Sequence, residues 1–263
     1  LSAHPDDATL LLFAAQSLAA LNEPVRARSL LERADGRSRP ANWLRTAAQI
    51  AEGEADQPGA LALWERAVQA DPLHLPSRRA VARLQNLISG RATTIATLRE
   101  AVRRFPHHQG LNQLLVEWMD EEEPAQRAAA LDALLAISPA NAWARRELAL
   151  VLAQMRKYSD AHAQLAEAHR LSGPSVANWQ VGGQIRMMEG DRGAARAEFR
   201  RALEISVDAE FAMHRLMGAC TDLAERKEEL AFIAGQIKRQ VVYGDALLEF
   251  QRHAGETLEP EAA

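Results

Sequence analysis

Two stretches of the sequence repeat one residue pattern at a distance of 34 residues. The stretch ALALWERAVQADP (60–72) is followed by TIATLREAVRRFP (94–106), so that Ala67 matches Ala101 and Pro72 matches Pro106. The alanine position recurs every 33 or 34 residues along most of the chain, at Ala34, Ala67, Ala101, Leu134, Ala168 and Ala202. A fixed period of this length is the signature of a repeat architecture, in which each unit buries its apolar face only against its neighbours.

The residues around each recurring position follow a helical spacing. Trp64 and Ala60 precede Ala67 by three and seven residues, and these offsets trace one face of a helix. An earlier apolar segment carries a second small residue in each period, at Ala15, Ala47, Ala82, Val116, Ala149 and Gly183. Proline recurs in the turns that follow, where it stops one helix and starts the next. The repeating unit is therefore predicted to be helix, tight turn, helix, turn.

This pattern resembles that of the tetratricopeptide-repeat (TPR) family, whose 34-residue unit is a pair of antiparallel helices. The clearest copies are 40–74 and 176–208, and good copies lie at 8–39, 75–108 and 142–175. The resemblance implies an all-α fold: a right-handed α-solenoid of about six or seven stacked helix pairs. Small residues at the recurring positions let the helices approach closely, with Trp64, Leu98, Leu165 and Phe199 filling the space between layers.

Two parts of the array depart from the pattern. The copy at 109–141 is weak because Val116 stands where a small residue is usual, and a weaker interface there would act as a hinge. Residues 210–243 form a divergent seventh pair, with Ile237 at the expected alanine, and residues 245–253 are predicted to be a capping helix. We expect the whole chain, 1–263, to be one solenoid.

Composition narrows the classes of function. The formal net charge is −4, so nucleic acid is not an expected partner, and no apolar run is long enough to span a membrane. Cys220 is the only cysteine, which excludes an internal disulfide and leaves the compartment open between cytoplasm and periplasm. Because the chain starts at Leu1 and ends in ETLEPEAA, we expect a piece of a longer protein.

No constellation of residues predicts catalysis. His162 and His169 are seven apart on one predicted helix, roughly 10 Å, which is too far for one metal ion without a third element. Cys220 follows an apolar segment and is expected to be a buried, inert thiol. The sequence therefore predicts a protein that is not an enzyme and has no metal site and no cofactor.

The TPR resemblance implies a ligand groove along the first helices of the repeats. Transferred onto this chain, the groove positions of the first repeat are Thr9, Leu12 and Gln16, and those of the second are Leu44 and Ala48. The candidate partner-binding residues in the later repeats are Arg79, Arg83, Asn86, Gln113, Glu117, Trp143, Arg146, Gln180 and Gln184. Leu12 and Gln16 depart from the carboxylate clamp of chaperone-tail-binding TPRs, so that ligand is not expected.

Two interpretations of the groove arginines stay open. Arg79, Arg83 and Arg146 are suited to gripping an acidic partner, with Trp143 as an aromatic anchor. Alternatively, Arg79 and Arg83 pair internally with Glu117 and Asp120 of the next repeat.

The first hypothesis for function is an interaction scaffold that binds a peptide or helix of a protein partner in its groove. The alternatives are a non-catalytic module of a larger enzyme or secretion machine, such as a glycosyltransferase or exopolysaccharide export protein, and a homo-oligomer formed through the solenoid ends.

Overall fold

The computed structural model describes residues 7–119 and 123–258, and these residues form fifteen α-helices and no strand. The helices are α1 (Ala8–Ala20), α2 (Pro24–Arg33), α3 (Pro40–Gly53), α4 (Gln57–Ala70), α5 (Leu75–Ser89), α6 (Arg91–Arg104), α7 (Gln109–Trp118), α8 (Pro124–Ile137), α9 (Ala142–Gln154), α10 (Tyr158–Ser172), α11 (Val176–Glu189), α12 (Arg192–Ile205), α13 (Glu210–Ala219), α14 (Leu223–Ile237) and α15 (Asp245–Leu258). The all-α prediction is confirmed, and the capping helix is longer than the predicted 245–253.

The chain divides into two compact units, Leu1–Glu121 and Glu122–Ala263. The first unit contains α1–α7, in which α7 packs on α5 and α6, and the second contains α8–α15, in which α8 packs on α9. The division falls inside the weak repeat, 109–141, so its two helices belong to different units. One continuous solenoid over the whole chain stays a prediction.

Within the described residues, the tight turns after α1, α3, α9 and α11 share one hydrogen-bonding motif. In the turn between α3 and α4, the amide of Asp56 donates to the carbonyl of Ala51, and Ala55 has a left-handed backbone with φ of 61°. The equivalent residues in the turns after α1, α9 and α11 are Asn22, Arg156 and Gly190. This six-residue closure satisfies carbonyls that the helix end leaves without partners and reverses the chain direction. It therefore sets up the antiparallel pairing.

The turns that precede α5, α7, α9 and α11 end in a side-chain cap, whereas those before α3 and α13 do not. The ring Nδ1 of His74 accepts a hydrogen bond from the amide of Ser77 at 3.2 Å, and His108 accepts from Leu111 at 3.1 Å. Asn141 and Ser175 do the same for α9 and α11. A cap at this position satisfies an amide that the first turn of a helix leaves unpaired. The histidines of the two outer turns are therefore structural.

The recurring small residues lie in the core of each unit. Ala34, Ala67, Ala168 and Ala202 have no exposed surface, and Trp64, Leu98, Leu165 and Phe199 are almost fully buried. A Cβ atom added at Gly183 of α11 would lie 2.4 Å from Cε1 of Phe199 on α12. The predicted packing of small residues against large ones is confirmed at these positions.

The last helix pair is joined to α12 by a buried ion network. Glu229 of α14 has no exposed surface, and its two oxygens accept from Nε of Arg196 and Nε of Arg200, each at 2.7 Å. Because a buried carboxylate is tolerated only with such partners, this network fixes the position of α14 on α12. Sequence periodicity alone did not reveal it.

Across residues 7–119 and 123–258, none of the helices has the length and apolar character that crossing a membrane requires.

Candidate functional site

The first helices of the opening repeats form a shared face in the first unit, which we call the A-helix face (α1, α3 and α5). This face contains a cavity of about 610 Å³. The cavity is lined by Thr9, Leu12, Phe13, Gln16, Arg37, Ser38, Arg39, Asn42, Arg45, Thr46, Gln49, Trp64, His74 and Pro76. The lining includes three arginines and no carboxylate, so the cavity wall is positively charged.

Arg45 is one of these three arginines, and it has two hydrogen-bonding partners within the protein. Its Nη1 donates to Oδ1 of Asn42 at 3.0 Å, and its Nη2 forms an ion pair with Asp71. Its Nε is buried and has no hydrogen-bond partner, and the hydroxyl of Ser38 in the same lining is in the same state. A buried donor without a partner costs about 1–3 kcal/mol. Both atoms are covered by other protein atoms, so a ligand can bond them only if the lining shifts.

A second cavity of about 540 Å³ continues the same face and shares Gln49, Trp64 and Pro76 with the first. The other lining residues are Glu52, Arg79, Ala80 and Arg83. The indole Nε1 of Trp64 donates to Oε1 of Glu52 at 2.6 Å, which orients this carboxylate at the edge of the cavity. The two cavities together form a continuous surface about three repeats long.

The predicted groove arginines of this unit have internal partners. Arg79 donates to both carboxylate oxygens of Glu117, at 2.7 and 3.3 Å, and this carboxylate raises the pKa of Arg79. Gln113 donates to the same carboxylate at 3.1 Å. Arg83 forms an ion pair with Glu52 of the preceding repeat. Asp120, which the sequence suggested as the internal partner of Arg83, lies outside the described residues.

These ion pairs lie at the surface and leave the arginines accessible. About half of the side-chain surface of Arg79 and of Arg83 is exposed. Exposed pairs of this kind contribute roughly 0–1 kcal/mol, so a ligand carboxylate can replace one at small cost. Asn86, predicted on the same helix, is half-buried and lines neither cavity.

The remaining predicted groove residues belong to the second unit. Arg146 donates to Oδ1 of Asn178 at 3.1 Å, and its burial lowers the pKa of the guanidinium. The amide of Gln184 donates to the carbonyl of Gln180 at 3.4 Å, and Trp143 is half-buried. Arg146 lies in the second unit, whereas Arg79 and Arg83 lie in the first.

The groove positions transferred to the second repeat are wrong. Leu44 and Ala48 are buried in a core cluster with Trp64 and Val81, so they face the interior rather than the groove. The residues of α3 that line the cavity are Asn42, Arg45, Thr46 and Gln49. Arg45 and Gln49 are four residues apart on α3, so they lie on the same face of the helix, opposite its apolar face. This polar stripe is visible in the sequence and could have identified them as groove residues.

The residues considered for chemistry have ordinary surroundings. Nε2 of His162 lies 2.8 Å from Glu189, and the ring of His169 packs on that of Trp179 with 4.6 Å between centroids. Cys220 is half-buried rather than fully buried, and burial raises the pKa of its thiol to about 11. A thiol with this pKa is almost entirely protonated at neutral pH and is a poor nucleophile.

Comparison with known proteins supports the fold. No family model and no curated protein sequence matches this chain. Among solved structures, a tetratricopeptide-repeat protein from Parabacteroides merdae is 12% identical over 85% of this chain and 89% of its own length, with a TM-score of 0.61.

Two further structures share the arrangement. YrrB, described as a TPR protein with an unusual peptide-binding site, is 16% identical over 70% of this chain and 96% of its own, with a TM-score of 0.51. PilW, described as a widely conserved type IV pilus biogenesis factor, is 15% identical over 84% of this chain and 95% of its own, with a TM-score of 0.52. The chain therefore has the fold of TPR proteins, and these comparisons indicate no catalytic family.

Proposed function

We propose that this protein is a non-catalytic interaction scaffold, and that the A-helix face of its first unit binds an extended peptide with acidic side chains. The observation that carries the proposal is the larger cavity, which combines three arginines, no carboxylate and two buried polar groups without partners. A peptide carboxylate placed against these arginines neutralises part of their positive charge.

The apolar part of the lining supplies the rest of the binding energy. Leu12 and Trp64 are almost fully buried and form part of the cavity wall, while Phe13 is 68% exposed at its rim. Burying an exposed aromatic ring against a ligand contributes on the order of 1.5–3 kcal/mol. The expected ligand therefore has both a carboxylate, which binds Arg45, and an apolar side chain, which packs on Phe13.

YrrB is described as having a peptide-binding site, which supports a peptide as the ligand class, although its likeness to this chain is one of fold. The second cavity extends the surface toward Arg79 and Arg83, so the same peptide passes these two predicted groove residues. Glu117, which binds Arg79 and Gln113, lies beside this path, whereas Asn86 lines neither cavity. We place Trp143, Arg146, Gln180 and Gln184 outside the primary site because they lie in the second unit.

A selection from a random peptide library on the wild-type protein tests this proposal. We expect the enriched peptides to contain Asp or Glu at a fixed position, and Arg39→Gln to weaken their binding, because Arg39 is an exposed cation on the cavity wall. Arg66→Gln is the matched control: it removes one exposed arginine of the same unit, on α4 and outside both cavities. Enrichment without acidic residues, or equal loss in both variants, would refute the proposed site.

Self-association is the second candidate function, and one observation favours it. Residues of α1 and α2 line a further cavity of about 550 Å³, among them Leu18, Ser29, Leu30 and Phe13, which also lines the larger cavity. Val25 on α2 is 81% exposed, although terminal repeats of a solenoid normally have a polar outer face. Sedimentation of wild type and Ser29→Glu tests this. A dimer that the charge dissociates supports the idea, and a wild-type monomer at all concentrations rejects it.

A further inference from the structure

Two helices of the second unit bring two histidines and a glutamate together. His214 lies on α13, and Glu249 and His253 lie one turn apart on α15. Nε2 of His253 is 3.0 Å from Oε1 of Glu249, and Nδ1 of His214 is 3.7 Å from the same oxygen. All three potential ligand atoms lie within 4.8 Å of one another.

This spacing is close to that of a metal site. Zinc binds imidazole nitrogen and carboxylate oxygen at about 2.0–2.2 Å, which places neighbouring ligands of a tetrahedron roughly 3.4 Å apart. Two of the ligand–ligand distances, 3.0 and 3.7 Å, lie on either side of that value. The third pair, Nδ1 of His214 and Nε2 of His253, lies within 4.8 Å, and the exposed His214 side chain can move closer to complete the site.

The surroundings of His253 add a second, independent indication. The His253 side chain is almost completely buried, and its Nδ1 lies 3.3 Å from Oε2 of Glu256. When Nδ1 donates to this carboxylate, the unprotonated Nε2 faces Oε1 of Glu249, and a cation between these two atoms stabilises that arrangement. A carboxylate behind the distal nitrogen of a histidine is the usual support of a metal-bound imidazole.

A cation already lies at this point in the structure. Nη2 of Arg252 forms an ion pair with Glu249 and lies 3.1 Å from Nδ1 of His214 and 3.4 Å from Nε2 of His253. One guanidinium nitrogen thus contacts all three potential ligand atoms. About half of the Arg252 side chain is exposed, so it can turn into solvent when another cation takes its place.

We propose that His214, Glu249 and His253 bind one divalent transition-metal ion, which displaces Arg252 and fastens α15 to α13. The combination of two imidazoles and one carboxylate suits Zn²⁺ better than Mg²⁺ or Ca²⁺, which prefer oxygen ligands. With three protein ligands, the fourth position is filled by water.

The proposal differs from the expectation of no metal site that the sequence analysis gave. That expectation considered His162 and His169 because they lie on one helix, whereas His214 and His253 are far apart in sequence and meet only through the packing of α13 on α15. The proposal is independent of peptide binding by the first unit. It predicts that metal adds stability to the end of the second unit.

Calorimetric titration of untagged full-length protein with Zn²⁺ tests the proposal. We expect one equivalent to bind, a rise in melting temperature, and no response to Mg²⁺. His214→Asn removes an exposed ligand and should abolish both effects, while His107→Asn, an exposed histidine of the first unit, should change neither. Binding that survives in His214→Asn, or that is lost in His107→Asn, would overturn the assignment.

Two further variants separate the metal site from a purely structural cluster. Arg252→Gln removes the competing charge and should tighten Zn²⁺ binding roughly tenfold or more, whereas Glu256→Gln should weaken it about 10–100-fold. The competing arrangement is a doubly protonated His253 that bridges the carboxylates of Glu249 and Glu256. In that case neither wild type nor Arg252→Gln binds Zn²⁺, and the proposal fails.

Discussion

Gly183 illustrates how a single side chain limits the approach of two helices. It lies inside α11, and the ring of Phe199 on α12 occupies the space where its Cβ would be. Phe199 has no exposed surface, so the ring has little room to move away. Glycine has a low helix propensity, but only a residue without a Cβ atom fits against the Phe199 ring at this position.

Gly183→Ala should therefore destabilise the protein, by about 1–3 kcal/mol, because the added methyl overpacks the core. Gly218→Ala on α13 is the matched control, since nothing lies within 4 Å of its added Cβ. The control should leave stability unchanged or raise it by up to about 1 kcal/mol. Urea denaturation measures both, and equal effects of the two substitutions would contradict the packing account.

Single residues also show how accurately site positions can be transferred from the TPR pattern to this chain. The recurring alanines and their large partners were found from the sequence because close packing requires those sizes at that spacing. Arg45 was not found, because the inward positions were assigned one residue away, at Leu44, and neighbouring residues on a helix point in directions about 100° apart. A pattern that fixes the buried face thus leaves the exact groove residues open to an error of one position.

The turn inside each helix pair is a short element with its own energetics. Ala55 and Arg156 adopt left-handed backbone conformations that the equivalent Gly190 adopts without strain. A non-glycine residue in this region costs about 1–2 kcal/mol. The chain therefore retains strain in the turns after α3 and α9.

Ala55→Gly should relieve part of this strain and raise the free energy of unfolding by up to about 1 kcal/mol. The gain is smaller than the strain because glycine loses more backbone freedom on folding. Thermal and urea denaturation of the variant measure the change. A loss of stability would show that the side chain of Ala55 has a packing role that outweighs its backbone conformation.

His74, which caps α5, makes the free energy of unfolding depend on pH. Burial and the nearby Arg45 lower the pKa of His74 below its ordinary value of 6.5, while Asp71 opposes the shift. Between the lowered folded pKa and 6.5, the unfolded chain binds more protons than the folded one. Stability from this group is therefore present above about pH 6.5 and is lost as the pH falls through that window.

His74→Asn tests this element directly, because asparagine also caps a helix but does not titrate. At pH 7.5 the variant should be close to wild type in its urea midpoint, and at pH 5.5 it should lose less stability. Comparing the two proteins cancels the contribution of all other groups. Parallel losses in both would mean that His74 does not contribute to the acid sensitivity.

At the scale of the whole molecule, the period of 34 residues predicted six or seven helix pairs and a C-terminal helix, and residues 7–119 and 123–258 form fifteen helices in that order. The weak repeat at 109–141 was expected to have a weaker interface, and the division into two compact units falls inside it. In the structure the two helices of the weak repeat belong to separate units, with α7 packed on α5 and α6 and α8 packed on α9. The cluster of His214, Glu249 and His253 could not be predicted from the sequence, because these residues meet only when α13 packs on α15.

Hydrogen exchange should reveal the two units as separate cooperative segments. Amides of α7 are expected to share the protection of α6, and amides of α8 that of α9, because each opens with the neighbours it contacts. Mild denaturant should separate the two groups. Equal protection that changes in parallel through 109–137 would indicate one cooperative unit and would also rule out a hinge at the weak repeat.

We expect Arg45 in the A-helix face to recognise a carboxylate of a bound peptide. A double-mutant cycle measures this interaction, using a selected peptide, its Glu→Gln analogue, wild-type protein and Arg45→Gln, with affinities measured by fluorescence anisotropy. The expected coupling energy between the two substitutions is about 1–3 kcal/mol, as for a hydrogen-bonded charge pair. A coupling energy of zero, with each substitution acting independently, would show that Arg45 does not bind the peptide carboxylate.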